Sequence, residues 1–276
     1  MIEFLAGVAA EIGWALPVAA VLWFIARRVT RIETTAGSTR TAATRPAWQR
    51  AVGLVGAAAA LWGLLIGMGA LITTVLAPVR DLDVAIIERL VESRTDPLTA
   101  LAHIGDKIGN TPGIIAMVVI SATVAHALTR RWAPALVVVA AAAGETSIFL
   151  ATQVAISRAR PDVEQLAGEP ATSSFPSGHV AATIVTYGCI ALLVLAWSRG
   201  AVRVVAVAAA IVLPLLVAWA RMYQGMHFPS DVLASFLFAP LWLAVCWWAI
   251  RPQPRGETVR MGRAVADVEN ATPPAR

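Results

Sequence analysis

The amino-acid sequence predicts an all-α membrane protein, a polytopic transmembrane bundle with a six-helix core and one further N-terminal helix. The first observation is composition, because 58% of the 276 residues are hydrophobic and only 14% are charged, whereas soluble domains carry about 25% charged residues. The second is a series of apolar runs near the ~20 residues that a helix needs to cross the hydrocarbon. The third is that basic residues are concentrated in alternate gaps, which is typical of chains that cross a membrane repeatedly.

Seven apolar runs form the predicted spans. Glu11 and Pro17 interrupt the first run, which lacks the basic start of a secretory signal. The chain thus divides into an N-terminal helix with a basic cytoplasmic linker at 1–51, a six-helix core at 52–250 and a disordered cytoplasmic tail at 251–276. The spans are predicted at about 4–26, 52–77, 112–128, 134–154, 179–197, 201–220 and 230–250.

Two short amphipathic helices are predicted in the gap at 78–111, where they would lie on the outer membrane surface. Asp81 and Asp96 are each expected to cap the start of one of these helices. Apolar residues recur on one face of the first helix, at Val84, Ile87, Leu90 and Val91.

The distribution of basic residues predicts the orientation of the chain. One set of alternate gaps holds 15 of the 22 Lys and Arg residues and 4 of the 17 Asp and Glu residues. By the positive-inside rule that set is cytoplasmic, so the N-terminus lies outside and the C-terminus inside. The net charge of +5 then reflects topology and not a nucleic-acid partner. Cys189 and Cys246 both lie in apolar runs, so neither a disulfide nor a catalytic thiol is predicted.

Three polar clusters are predicted to meet at the outer ends of the helices. They are TQVAISRARPD at 152–162, SSFPSGHVAAT at 173–183 and ARMYQGMHFPSD at 220–231. Charged residues are costly near a bilayer and commonly mark function there. A single Arg is more often a snorkelling anchor, and a single His or PSGH stretch is an ordinary feature of a helix end. Only the combination of the three clusters favours a functional site.

The residue types in these clusters favour phosphoryl transfer. His227 and Asp231 lie four residues apart, so Asp231 is expected to accept a hydrogen bond from Nδ1 of His227 and leave Nε2 free as a nucleophile. Ser177 and Gly178 begin another helix, whose free backbone N–H groups can bind an anion. His179 is available as a general acid.

Two arginines complete the predicted site. Arg160 and Arg221 supply planar, permanently charged groups that suit phosphate oxygens. With these cations, a helix N-terminus and two histidines, the predicted site requires neither a metal ion nor another cofactor. Glu145, inside the fourth span, is either a functional intramembrane acid or a hydrogen-bonded packing residue, and it is left out of the site.

The three clusters resemble the motifs of the type-2 phosphatidic acid phosphatase superfamily of membrane lipid phosphatases. Those motifs run Lys-x6-Arg-Pro, Pro-Ser-Gly-His and Ser-Arg-x5-His-x3-Asp, and the resemblance covers about 52–250. The matching positions in this chain are Gln153, Arg160 and Pro161, then Pro176, Ser177, Gly178 and His179, then Ala220, Arg221, His227 and Asp231.

The resemblance implies that His227 forms a phosphohistidine, that Asp231 orients it and that His179 protonates the leaving oxygen. It implies that the phosphoryl group is held by a second set of residues, Arg160, Arg221, Ser177 and Gly178. Substrates of the family include phosphatidate, phosphatidylglycerophosphate and polyprenyl diphosphates. The chain is therefore expected to be a metal-independent lipid phosphatase of the cell membrane, with its active site at the outer face.

Two positions depart from the family motifs. Ala220 stands where the family has Ser, which is a mild change, and Gln153 stands where it has Lys, which removes a positive charge from the phosphate site. Arg158 compensates if the chain unwinds near Ser157, because Arg158 and Arg160 then project to the same side. If the segment is helical, Gln153 and Arg160 share a face and Arg158 points elsewhere. Gln153 and Arg158 are both included among the candidate phosphate ligands.

Two other functions are compatible with these residues. A lipid phosphotransferase would use the same phosphohistidine but pass the phosphoryl group to an alcohol. A non-catalytic lipid-binding or transport protein would be a damaged copy of the fold, and the intact His179, His227 and Asp231 argue against it.

Overall fold

The computed structural model describes residues 46–168 and 172–250 of the chain, and all regular elements within these residues are helices. Eight described helices follow one another with short connections, except between α5 and α6, where the described residues 156–168 and 172–177 are irregular. The helices are α1 (Ala47–Thr74), α2 (Ala77–Glu92), α3 (Asp96–Gly109), α4 (Thr111–Thr129), α5 (Trp132–Ala155), α6 (Gly178–Trp197), α7 (Ala201–Tyr223) and α8 (Pro229–Ile250).

Six of the described helices, α1 and α4 to α8, are long and apolar enough to cross a membrane. This confirms the all-α fold class, and the chain is a multi-pass membrane protein. The predicted first span at 4–26 and the tail at 251–276 lie outside the described residues. The first described helix begins before the predicted boundary at 52, because residues 47–50 already belong to α1, and Arg50 donates to the carbonyl oxygen of Ala249 at 3.2 Å.

The buried core lies where α1, α5, α6 and α8 face one another. Leu65, Val138, Val185 and Phe238, one from each helix, are at most 1% exposed. Outward residues of α4 and α7 are instead large, apolar and exposed, as expected for helix faces that contact lipid.

The two short helices begin differently from the sequence prediction. Helix α2 starts at Ala77, so Asp81 lies inside it, and α3 starts at Asp96 after the N-cap residue Thr95, which makes no side-chain capping bond. Each helix has a Pro in its first turn, where the fixed φ of Pro favours helix initiation and one backbone N–H that would need a cap is missing. The predicted Asp caps are therefore absent.

Both short helices pack over one end of the bundle. In α2 the buried residues are Asp83 and Ile87, whereas Val84 is 45% exposed, so the packed face differs from the predicted one. In α3 the backbone approaches its neighbours closely at two glycines. A Cβ on Gly105 would lie 2.7 Å from Cβ of Ala220, which no larger residue at that position could accommodate without displacement.

A hydrogen-bonded clamp joins this layer to the turn after α7. Nη2 of Arg94 donates to the carbonyl oxygens of Glu164 at 2.8 Å and Tyr223 at 3.0 Å. Gly225 in the turn has φ +75°, and a Cβ there would lie 2.7 Å from a methyl group of Val163. Both the backbone conformation and the available space therefore favour Gly. The clamp fixes the α7–α8 turn against the irregular segment.

Candidate active site

The three polar clusters lie together at one end of the bundle. Helix α5 ends at Ala155, α6 begins at Gly178, α7 ends at Tyr223 and α8 begins at Pro229. Direct contacts join the clusters, because the backbone N–H of Ser177 donates to the carbonyl oxygen of Asp231 at 3.3 Å. Convergence of the clusters was predicted from the alternation of the spans, and the structure shows it.

His227 lies in the α7–α8 turn and is 3% exposed. Its Nδ1 is 2.7 Å from the carbonyl oxygen of Ser174. A carbonyl oxygen only accepts, so Nδ1 carries the proton and donates it to this bond. Nε2 therefore retains its lone pair, which is the arrangement required for a nucleophilic imidazole.

The surroundings of His227 also favour the neutral imidazole. Burial holds the pKa of His227 well below its ordinary range, and the positive charges of Arg160 and Arg221 lower that pKa further. The hydrogen bond with Ser174 acts in the opposite direction but is the smaller effect. His227 is therefore uncharged at neutral pH, and only the uncharged ring can attack an electrophile.

Asp231 does not make the predicted hydrogen bond with His227. Its Oδ2 lies 3.9 Å from Nδ1 of His227, which exceeds hydrogen-bonding distance. Oδ2 accepts instead from the backbone N–H of Phe228 at 2.9 Å, and Oδ1 accepts from Nη1 of Arg158. Asp231 is the third residue of α8 and reaches back to the residue before the helix, like the acidic member of a capping box. The carbonyl of Ser174, instead of Asp231, holds the imidazole ring of His227 in position.

Arg158 lies in a buried network of acids and hydroxyls. Its Nη2 donates to Oδ2 of Asp83 at 2.7 Å, and its Nη1 donates to Asp231 and, at 2.7 Å, to Oγ of Ser230. Its guanidinium also lies 4.5 Å from the ring centroid of Phe228. The chain does unwind after α5, yet Arg158 does not join Arg160. Two buried carboxylates require a cation, and this arrangement does not support the phosphate-binding role predicted for Arg158.

Arg160 and Gln153 meet at one carbonyl oxygen. Nη2 of Arg160 lies 3.3 Å, and Nε2 of Gln153 2.9 Å, from the oxygen of Ser173. Nη1 of Arg160 donates to the carbonyl oxygen of Met226, the residue before His227, at 2.6 Å. Gln153 thus lies beside Arg160 even though the helix ends at Ala155, whereas the sequence prediction brought the two together only for a helical segment. Oε1 of Gln153 is buried and has no hydrogen-bond partner in the described part of the chain.

The start of α6 carries the second cluster. Ser177 is the residue before the helix, and its buried hydroxyl makes no hydrogen bond within the described residues. A Cβ on Gly178 would lie 2.7 Å from the ring of Phe149, so packing alone already requires Gly there. The unbonded hydroxyl and the N–H groups of the first turn form a set of donors suited to an anion.

Arg221 contacts an acid that the sequence prediction missed. Its Nη1 donates to Oδ1 of Asp106 on α3 and to Oε1 of Gln224 at 3.1 Å. The same Oδ1 lies 3.5 Å from Nε2 of His179. Nε of Arg221 is buried and has no hydrogen-bond partner among the described residues. A single carboxylate oxygen therefore bridges the second and third clusters.

Asp83 and Asp106 are the two acidic residues of the site that sequence reasoning did not identify. Asp83 is separated from Ile87, and Ile87 from Val91, by one helical turn, so Asp83 lies on the packed face of α2. An acid at the helical spacing of apolar residues is the sequence signal that would have identified it. Asp106 lies next to Gly105 in an amphipathic helix that was assigned to the membrane surface. No side-chain pattern could have revealed the carbonyls of Ser173 and Ser174.

Glu145 lies in the middle of α5 and is 2% exposed. Its Oε2 accepts a hydrogen bond from Oγ1 of Thr146 at 3.3 Å, and its Oε1 has no partner within the described residues. None of its hydrogen bonds reaches the three clusters, so Glu145 remains outside the candidate site.

Comparison with known proteins identifies a shared fold and a family. A crystal structure of a transmembrane PAP2-type phosphatidylglycerolphosphate phosphatase from Bacillus subtilis shares the fold, with a TM-score of 0.59, 24% sequence identity, and coverage of 70% of this chain and 93% of that chain. Among curated protein sequences, none matches the chain. The family model of the PAP2 superfamily matches residues 114–255, which hold all three clusters. The chain therefore belongs to the PAP2 superfamily.

Proposed function

We propose that the protein is a membrane phosphatase that hydrolyses a lipid phosphate or diphosphate through a phosphohistidine on His227. The observation that carries this proposal is the hydrogen bond of Nδ1 with the carbonyl of Ser174, because it leaves Nε2 free on a neutral ring. The nearby charges of Arg160 and Arg221, which act on the same ring, would stabilise a phosphoryl group in front of it.

In the first step, Nε2 of His227 attacks phosphorus while the bond from phosphorus to the lipid oxygen breaks. The developing negative charge on the non-bridging oxygens is stabilised by Arg160 and Arg221, with further donors from Ser177 and the start of α6. His179 gives a proton to the leaving oxygen, which departs as the lipid alcohol or as a lipid monophosphate.

In the second step, water attacks the phosphohistidine and the bond between phosphorus and Nε2 breaks. His179 takes a proton from the water and so returns to its starting state, and inorganic phosphate leaves. A phosphotransferase would admit an alcohol in place of the water. The fixed cations supply the charge that a metal ion would otherwise provide, so we propose a metal-independent reaction.

The proposed substrate keeps its tails in the bilayer while its headgroup reaches the end of the bundle. The structural neighbour is named for phosphatidylglycerolphosphate, so that lipid belongs in the first panel together with phosphatidate and a polyprenyl diphosphate. Release of inorganic phosphate from one of these lipids by the purified protein in detergent is the expected result. Failure to release phosphate, with formation of a phosphorylated alcohol instead, would identify the transferase. No reaction with any lipid would support a binding or transport protein.

Two further measurements test the proposed conditions and orientation. Activity is expected to persist in EDTA and to be inhibited by orthovanadate, and a loss in EDTA that a divalent ion restores would contradict the metal-free reaction. We also propose that the site faces outward, because the distribution of basic residues described above predicts that positions 40 and 265 are cytoplasmic. Reporter fusions at these two positions test this orientation and are both expected to report the cytoplasm. A periplasmic signal at position 40 would reverse this orientation.

A further inference from the structure

We propose that Asp106 is an internal competitor for the phosphate, an inference that rests on the proposed function. The Asp106 carboxylate lies between Arg221 and His179, at the position proposed for an anionic oxygen of the phosphate. Substrate binding would then displace this carboxylate, and its return would help to expel inorganic phosphate after the second step.

The contacts of Asp106 place it where a phosphoryl oxygen is needed. Its Oδ1 accepts from Nη1 of Arg221 and lies 3.5 Å from Nε2 of His179. These are the proposed phosphate ligand and the proposed general acid, and they come from different helices. One anionic oxygen already contacts both groups, and a phosphoryl oxygen cannot take the same position unless this carboxylate oxygen leaves it.

The carboxylate of Asp106 is also able to leave its partners. The Asp106 side chain is 25% exposed, whereas that of Asp83, the acid that holds Arg158, is 3% exposed. A displaced Asp106 carboxylate can therefore become hydrated, while a displaced Asp83 carboxylate would remain buried without a partner. Of these two acids beside the site arginines, Asp106 is the one suited to exchange.

The backbone below Asp106 is fixed, so the exchange requires only rotation of the side chain. A Cβ on Gly105 would lie 2.7 Å from Cβ of Ala220, and a Cβ on Gly109 would lie 2.8 Å from a methyl group of Val217. These close contacts hold α3 against α7 on both sides of Asp106. The fixed backbone and the short side chain of Asp106 therefore return the carboxylate to the same position after phosphate leaves.

The site nevertheless has donors that the carboxylate leaves unused. Nε of Arg221 is buried and has no hydrogen-bond partner within the described residues, and the same is true of the hydroxyl of Ser177. A phosphoryl group offers three non-bridging oxygens, one more acceptor atom than a carboxylate, so it can bond to groups that Asp106 cannot satisfy. This difference lets a phosphoryl group displace the carboxylate, while the carboxylate competes with substrate and with product phosphate alike.

The test is to measure binding of inorganic phosphate and of orthovanadate to the purified full chain in detergent by calorimetry. Asp106→Asn keeps the shape of the side chain but removes the competing charge. It is expected to lower the Kd of both anions about tenfold, and to lower the inhibition constant of inorganic phosphate in the lipid assay by the same factor. Asp96→Asn is the matched control, because it removes the same charge from the exposed start of α3, and its Kd should stay within about twofold of the wild type.

The opposite hypothesis is that Asp106 only positions Arg221 for the phosphate. That role predicts weaker or unchanged anion binding in Asp106→Asn, and either result would overturn the proposal. If Asp106→Asn does not fold, Asp106→Ser removes the same charge with a smaller side chain and is judged by the same criterion. A wild-type chain that neither binds these anions nor hydrolyses a lipid phosphate would defeat the proposed function as well. Wild-type activity without tighter binding in the variants would defeat this inference alone.

Discussion

Two arginines that stand two residues apart, Arg158 and Arg160, have opposite environments. Arg158 is buried between Asp83 and Asp231, and its charge is directed at those carboxylates. Arg160 bonds to the carbonyl oxygens of Met226 and Ser173, and its charge acts on His227. The difference teaches that a cation near an active site can either hold the frame together or act on the reacting group. The identity of the residue does not distinguish the two roles, whereas its partners do.

The largest expected effect comes from removing His227, the group on which the charge of Arg160 acts. His227→Ala eliminates the proposed nucleophile, so kcat/KM for lipid phosphate is expected to fall by about 10⁴-fold or more. His126→Ala is the control, because His126 lies in the last turn of α4, at the opposite end of the bundle, and should leave kcat/KM nearly unchanged. Retention of a tenth of the activity in His227→Ala would mean that the nucleophile lies elsewhere.

Arg158 is expected to contribute mainly to the stability of the fold. Arg158→Ala leaves Asp83 and Asp231 buried without their cation, which should lower the free energy of unfolding by about 3–5 kcal/mol. Combining Arg158→Met with Asp83→Asn removes a charge of each sign and should recover part of that loss. Denaturant unfolding in detergent measures both variants. A stable Arg158→Ala protein whose only defect is weak phosphate binding would return Arg158 to the phosphate site.

Arg160 is expected to contribute mainly to catalysis and less to the stability of the fold. Arg160→Ala is expected to reduce kcat/KM by about 10²–10³-fold, which is typical for the loss of one preorganised group that stabilises developing charge. Its thermal stability should change less than that of Arg158→Ala, because its bonds to Met226 and Ser173 go to uncharged carbonyl oxygens, and losing them leaves neither oxygen as an unpaired buried charge. Steady-state kinetics and melting curves on the same preparations give both numbers. Equal losses of stability in the two variants would remove the distinction between them.

The smallest expected effect concerns Gln153, which lies beside Arg160. Because Arg158 is engaged by carboxylates, the charge of the missing family Lys is not replaced from that side. Gln153→Lys would place a cation beside Arg160 and is expected to raise kcat/KM up to about tenfold, since charge-assisted hydrogen bonds are roughly twice as strong as neutral ones. A decrease in kcat/KM on the same lipid would show that the added charge repels Arg160 or crowds the site.

The sequence predicted the core spans and the meeting of the three clusters because long apolar runs and alternating charge are local signals. It could not predict the environment of Arg158, because that depends on Asp83, which lies 75 residues earlier in the chain. The hydrogen bond of His227 was assigned to Asp231 from the four-residue spacing alone. In the structure the partner is a backbone carbonyl, and every residue type carries one, so composition gives no sign of it.

The match to the PAP2 superfamily begins at residue 114, but three side chains that shape the site come from before that position. Asp83 and Asp106 bond to Arg158 and Arg221, and Arg94 clamps the turn that carries His227 to the irregular segment. The part of the chain that matches the family model therefore does not contain the whole site. A chimera that grafts residues 114–255 onto a foreign membrane anchor would carry every motif and still lack its supporting acids. A working site therefore requires the motif-bearing helices together with the two short helices, α2 and α3, that pack over their ends.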